Sequence, residues 1–281
     1  MSKVIYLDYA ATTPVDPNVL SAMQPYFSEV FGNPSSIHSF GQEAQRAVDL
    51  ARQKIADFLG CLSQEIIFTG SATEANNLAI FGIIESAREQ FPDLKPRIIT
   101  SAIEHESVLG PIKYLEKTKR ASVVYLPVDK KGIISIEALK ESLTDDTALI
   151  SIMYANNEIG TIQPVVEISE VVREHNEKLK AKSYKLKAVL HTDAAQAALY
   201  LPMSVAHLGF DMLTLSGHKV YGPKGVGILY LKKGTSISPL IVGASQEYGK
   251  RAGTENVPYI VGIGEAVALA SEWRVKNEGL K

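Results

Sequence analysis

The chain has 281 residues, of which 46% are hydrophobic and 21% charged, and its formal net charge is −2. This is the composition of a globular chain with one large domain, and it implies no basic surface for nucleic acid. Its one cysteine, Cys61, excludes a disulfide within the chain and fits a reducing, cytoplasmic setting, and no apolar run approaches the roughly 18 residues of a membrane span.

Residues 3 to 7 read as a short strand, with no basic region and apolar core of the kind that marks a secretory signal. Asp8 to Pro14 is turn-rich, and Pro17 to Phe27 carries a helical pattern. Phe31 to His38 is an irregular loop punctuated by Gly32 and Pro34. From Gly41 to Leu59, Ala44, Ala47, Val48, Ala51, Ile55 and Leu59 recur at helical spacing, and Gly60 ends the helix.

Glu65 to Thr69 reads as a strand. After it, Ser71 and Glu74 have the spacing of a capping box, so a helix starts there. Strand, small residues and helix N-terminus form either an ordinary capped helix or a phosphate cup, in which free N–H groups face the anion and Thr73 adds a hydroxyl. Arg97 to Ser101 is the next strand. His105 follows its C-terminal end, where open α/β sheets place their ligands. A lone histidine there is catalytic or simply structural.

Val123 to Leu126 and Ala148 to Met153 read as strands, and Ile136 to Leu143 and Val165 to His175 as helices. The amides of Asn156 and Asn157 follow the second of these strands, where they donate to a ligand or shape a turn. Lys178, Lys180, Lys182, Lys185 and Lys187 mark a solvated insertion or helix end. Ala188 to His191 is a strand that runs into Asp193. This carboxylate has no evident local cation, so it either caps a turn or pairs with a protonated ligand nitrogen.

Two apolar runs, Phe210 to Leu215 and Val226 to Leu231, flank a stretch holding Ser216, His218, Lys219, Lys224 and three glycines. A lysine between buried strands is costly unless it is paired or reacted. Lys219 is therefore the candidate Schiff-base lysine for pyridoxal phosphate (PLP), the other reading being a Gly-rich hairpin with solvated lysines. Arg251 to Asn256 is polar, and Ile260 to Trp273 reads as a long amphipathic helix.

Strands and helices alternate, which predicts an α/β domain with a mostly parallel sheet and helices on both faces. The chain has neither GxGxxG nor GxxxxGK[ST], and its six histidines are not paired at metal-ligand spacing. The candidate groups all lie at C-terminal strand ends, where one crevice can collect them.

The stretches Tyr6–Pro14, Gly32–Ser36, Phe68–Asn77, Glu104–His105, Asn156–Gly160, Asp193–Gln196, Ser216–Lys219, Tyr221–Gly225 and Arg251–Thr254 resemble, in order, those of the NifS/IscS-type cysteine desulfurases. These are PLP enzymes of the class V aminotransferase family. The resemblance implies a PLP-dependent transferase fold of type I. It implies that residues 1–14 belong to a small domain, 15–254 form the PLP-binding large domain, and 255–281 begin a helix leading to the rest of the small domain.

By the same resemblance, Lys219 is the Schiff-base lysine, and His105 stacks on the pyridine ring and moves protons. Asp193 pairs with the ring nitrogen and Gln196 with the ring hydroxyl. Ala72, Thr73, Ser216 and His218 match the phosphate cup, and Asn157 a cofactor and substrate contact. Thr254 reaches the partner subunit's phosphate in a homodimer. The implied substrate is L-cysteine, whose sulfur passes to an iron–sulfur scaffold or another acceptor protein.

Family members continue for roughly a hundred residues more, the size of a small domain. That part carries the attacking cysteine and the substrate-binding arginine, and this sequence holds neither. The competing readings are another class V PLP enzyme, such as a selenocysteine lyase or a transaminase, and a non-catalytic PLP-binding dimerisation module.

Overall fold

The computed structural model describes residues 5–182 and 186–277. In chain order the elements are α1 (Pro17–Met23), α2 (Pro25–Ser28), α3 (Ser39–Leu59), β1 (Ile66–Thr69), α4 (Ala72–Gln90), β2 (Arg97–Ser101), α5 (Glu106–Lys117) and β3 (Ser122–Leu126). They continue as α6 (Ile136–Ser142), β4 (Thr147–Ser151), α7 (Val165–Ala181), β5 (Val189–Asp193), α8 (Val205–Leu208), β6 (Met212–Ser216), β7 (Gly227–Leu231) and α9 (Val257–Asn277). The strands form one sheet in the order β1-β7-β6-β5-β4-β2-β3. Strand β7 is antiparallel to both β1 and β6, and the described pairs from β6 across to β3 are parallel.

Side-chain alternation along the strands divides the core into two layers. Ile66, Phe68, Ile99, Ile150, Leu190, Leu213 and Ile228 face one side, where α3, α7 and α9 cover them. Ile67, Ile98, Leu149, Val189, Met212 and Leu229 face the other, under α4 and α5. Helices on both faces explain why the strands read as apolar runs rather than as alternating patterns.

The apolar face of α3 is built largely from alanines, so α9 approaches closely. A Cβ on Gly264 would lie 2.8 Å from the Ala51 Cα. Gly60 caps α3 at φ +65°, a left-handed conformation that favours glycine. The helix expected over 17–27 breaks at Pro25, whose missing N–H and ring end the run after Met23. Helix α7 runs on to Ala181, so Lys178 and Lys180 lie in its last turn, where cations meet the negative end of the helix dipole. Lys187 pairs with Asp211 at 2.9 Å, while Lys185 lies outside the described residues. Residues 5–7 are not a strand, in contrast to the expectation for 3–7, and residues 3 and 4 lie outside the described residues. Among the described residues no helix is long and apolar enough to cross a membrane.

Candidate active site

The C-terminal ends of β4, β5 and β6 and the N-termini of α4 and α5 open onto a cavity of about 560 Å³. Ala72, Thr73, His105, Asn157, Asp193, Gln196, Ser216, His218 and Lys219 all line it. Of the residues given a catalytic or cofactor role by the resemblance, Thr254 alone lies elsewhere. It is exposed, near Arg251, whose Nε is 2.8 Å from Glu74 Oε1.

At the head of α4, Ser71 Oγ accepts from the Glu74 N–H, as the capping pattern predicts. The Glu74 carboxylate reaches further back than a capping box requires and accepts from the Gly70 N–H at 2.9 Å. The N–H groups of Ala72 and Thr73, in the first turn, have no intrahelical carbonyl to donate to. Both residues line the cavity beside Ser216 and His218. Strand β7 packs so tightly under this turn that a Cβ on Gly227 would lie 2.3 Å from the Ser71 carbonyl carbon. The donor set and the dipole fit a phosphate.

Lys219 sits in a short turn after β6 and is half-buried. Burial pulls its ammonium below the ordinary lysine range, against the opposing pull of Asp193 and Asp8. A lowered amine is the form that forms covalent bonds with carbonyl compounds. Its Nζ donates to the carbonyls of Ala10 and, at 2.8 Å, Ala11. Gln196, expected at a ring hydroxyl, donates to the same Ala10 carbonyl at 2.9 Å. The segment from Asp8 to Thr13 thus crosses one wall of the cavity. Thr13 Oγ1 fixes it there by donating to the His218 carbonyl and accepting from the Tyr221 N–H. His218 Nδ1 lies 3.1 Å from Thr12 Oγ1. Burial, then Lys219 and Lys224, lower the His218 pKa below the ordinary histidine range.

Asp193 ends β5 and is 7% exposed. Its Oδ1 accepts from the Ala195 N–H at 3.0 Å and its Oδ2 from Asn76 Nδ2 at 2.8 Å. His105 caps α5: its Nδ1 accepts from the Ser107 N–H at 3.1 Å and lies 2.7 Å from Ser107 Oγ. A backbone N–H only donates, so Nδ1 is an acceptor and the neutral ring carries its proton on Nε2.

Glu104 is buried behind His105. Its Oε1 accepts from Ser101 Oγ at 2.6 Å and from the Met153 N–H at 2.9 Å, while Oε2 has no hydrogen-bond partner. Burial, reinforced by Asp193, pushes its pKa up to about 8. Asn156, the first of the amide pair, donates to the Ile103 carbonyl and accepts from the Glu158 N–H, so it shapes the turn. Asn157 is the member that faces the cavity. Asn76 and Ser107 were not picked out from sequence. The available signal was a polar residue among the buried positions Ala75, Leu78 and Ala79 of α4.

Cys61 does not line the cavity. It lies before β1, at the strand end opposite the one that leads to Ser71, and burial pushes its thiol up to about 12. Among the described residues, no three His, Cys, Asp or Glu side chains are grouped to hold a metal.

The model of the class-V aminotransferases matches residues 5–278. The chain is 50% identical over 270 residues to the cysteine desulfurase IscS of Dictyoglomus turgidum, covering 96% of this chain and 64% of that protein. It is 50% identical to the putative cysteine desulfurase IscS 1 of Bacillus subtilis, covering 98% and 68%. Among solved structures, a NifS-like protein superposes with a TM-score of 0.90 at 42% identity over 98% of this chain and 71% of that one. A structure described as SspA in complex with cysteine gives 0.86 at 43% identity over 94% and 72%. The chain thus spans about two thirds of the length of these relatives.

Proposed function

The chain belongs to the class-V aminotransferase family, whose members are PLP enzymes, and we propose that it is the cofactor-binding part of a cysteine desulfurase. The observation that carries this reading is the single cavity that gathers Lys219, Asp193, His105 and the α4 N-terminus. The relatives named as cysteine desulfurases, at half identity, favour it over a transaminase or a selenocysteine lyase.

Bound in this cavity, PLP supplies an electron sink for the α-carbon of an amino acid. The first turn of α4, with Thr73, Ser216 and His218, would hold the phosphate. Lys219 Nζ would carry the cofactor and exchange protons above it. The Asp193 carboxylate would hold the proton of the pyridine nitrogen, and Gln196 and Asn157 would line the ring's polar edge. His105, with its proton on Nε2, would donate towards the substrate.

Residues 1–14 and 255–281 would lead into a small domain, with residues 15–254 as the large one. Thr254, outside the cavity, would serve the site of a second copy in a homodimer. The longer protein would pass sulfur from L-cysteine to an iron–sulfur scaffold or another acceptor in a reducing cytoplasm.

Sulfur transfer needs a thiolate beside the substrate sulfur. The one thiol here is outside the cavity and held protonated. The test compares alanine and sulfide release from L-cysteine by the PLP-loaded 281-residue chain and by the same chain extended with the C-terminal third of a relative. Release by the extended protein alone is expected. Turnover by the 281-residue chain that disappears in Cys61→Ser would contradict this account.

A further inference from the structure

Asn76 is completely buried on α4, and both hydrogens of its amide are committed. Nδ2 donates to Asp193 Oδ2 at 2.8 Å and to Ser107 Oγ at 2.8 Å. Its carbonyl Oδ1 is buried with no hydrogen-bond partner. A bare buried acceptor is destabilising, and buried amides normally satisfy their carbonyl. Turning the amide over would point Oδ1 at the Asp193 carboxylate, acceptor against acceptor. The unsatisfied carbonyl therefore follows from keeping a donor on Asp193.

The second hydrogen has a consequence as well. Ser107 Oγ accepts from Asn76, so its own proton is free to go to His105 Nδ1, 2.7 Å away. One amide thus links the carboxylate at the end of β5 to the histidine at the head of α5.

We propose that Asn76 is a positioning residue: it holds the Asp193 carboxylate aimed at the cofactor's pyridine nitrogen, and through Ser107 it closes His105 Nδ1 so that only Nε2 exchanges protons. This rests on the PLP reading above. Lys219 and Glu104 also feel the Asp193 carboxylate. Asn76 is the neutral donor of the group, and its effect does not change with pH.

The test uses PLP-loaded wild type, Asn76→Leu and Asn76→Asp, reading the PLP release rate and the absorbance spectrum against pH, with borohydride fixation at Lys219 as the loading control. Losing a hydrogen bond to a charged group should make Asn76→Leu release PLP about tenfold faster or more. Asn76→Asp keeps the size but sets a carboxyl against Asp193. Two carboxylates that close cannot both ionise, so the spectrum should gain a pH-dependent step absent from the wild type. Should Asn76→Leu fail to fold, the isosteric Asn76→Asp carries the comparison alone. A loaded wild type whose two variants keep its release rate and its pH profile would overturn this inference and leave the cofactor reading standing. A wild type that takes up no PLP would overturn both.

Discussion

Arg52 Nη2 lies 2.7 Å from Glu247 Oε1 and Nη1 lies 2.8 Å from Oε2, so two residues 195 positions apart share one buried, two-point ion pair. The pair also closes the outer edge of the sheet. Arg52 donates to the Ile66 carbonyl and Glu247 accepts from the Phe68 N–H, which are groups an edge strand otherwise leaves open. The guanidinium stacks 4.7 Å from the Phe68 ring centroid and 5.3 Å from that of Tyr248. Glu247 and Tyr248 adopt positive φ, +47° and +58°, a strained conformation for these residues, which the pair helps to hold.

Removing one partner of such a pair leaves a buried charge uncompensated. Arg52→Ala should cost about 3–5 kcal/mol, read as the midpoint of urea unfolding. A loss below about 1 kcal/mol, the range of an exposed pair, would show that the pair contributes little.

Glu104 sets a pH dependence on the alkaline side. Its folded pKa, about 8, lies above its unfolded value near 4.5. Between those values the folded state holds more protons than the unfolded one, so stability falls as pH rises and levels off above about pH 8. Glu104→Gln keeps an acceptor for Ser101 and Met153 and cannot ionise. It should flatten this slope and be the more stable protein at pH 8, as thermal unfolding across pH would show. An unchanged slope in the variant would assign the dependence to another group.

His191 acts with the opposite sign. It is fully buried between Ser151 and Thr214, and burial pulls its pKa down to about 3. The unfolded chain binds the proton first, so stability is lost as pH falls from about 6.5 towards 3. His191→Gln should weaken the acid limb of the same profile.

Gly227 carries the approach of α4 to the sheet. Gly227→Ala places a methyl against the Ser71 backbone, which must shift. Overpacking of this kind costs about 1–3 kcal/mol, and here it would also displace the N–H groups of Ala72 and Thr73. PLP retention in dialysis should fall more than the melting temperature does. Full retention would detach the α4 turn from phosphate binding.

Asp193→Ala removes the carboxylate that would hold the pyridine proton. Loss of a charge-assisted hydrogen bond costs about 1.5–3 kcal/mol, seen as weaker PLP binding in a fluorescence titration. An unchanged dissociation constant and spectrum would remove Asp193 from the site.

The sequence made legible what lies in contiguous stretches. The strand–cap–helix pattern at Thr69 to Glu74 and the turn from Ser216 to Lys219 carry their geometry locally, and the mostly parallel sheet follows from apolar runs alternating with helices. What it left unread depends on tertiary contact. Asn76 and Ser107 acquire meaning only when α4 and α5 meet at β5, and Glu104, read only as part of a motif, when it accepts from the Met153 N–H. The reversed direction of β7 was not read from Gly227 to Leu231, because an apolar run has no polarity. Residues 5–7 have strand composition but form no strand. The segment after them instead ties its backbone to Lys219 and Gln196.

Lys219 is the residue expected to hold the cofactor, and chemical fixation reads this directly. The 281-residue chain is loaded with PLP, reduced with borohydride, digested and mapped by mass spectrometry. The label is expected on Lys219 and should vanish in Lys219→Ala. A label on Lys224, or a reduced protein carrying none, would contradict the account.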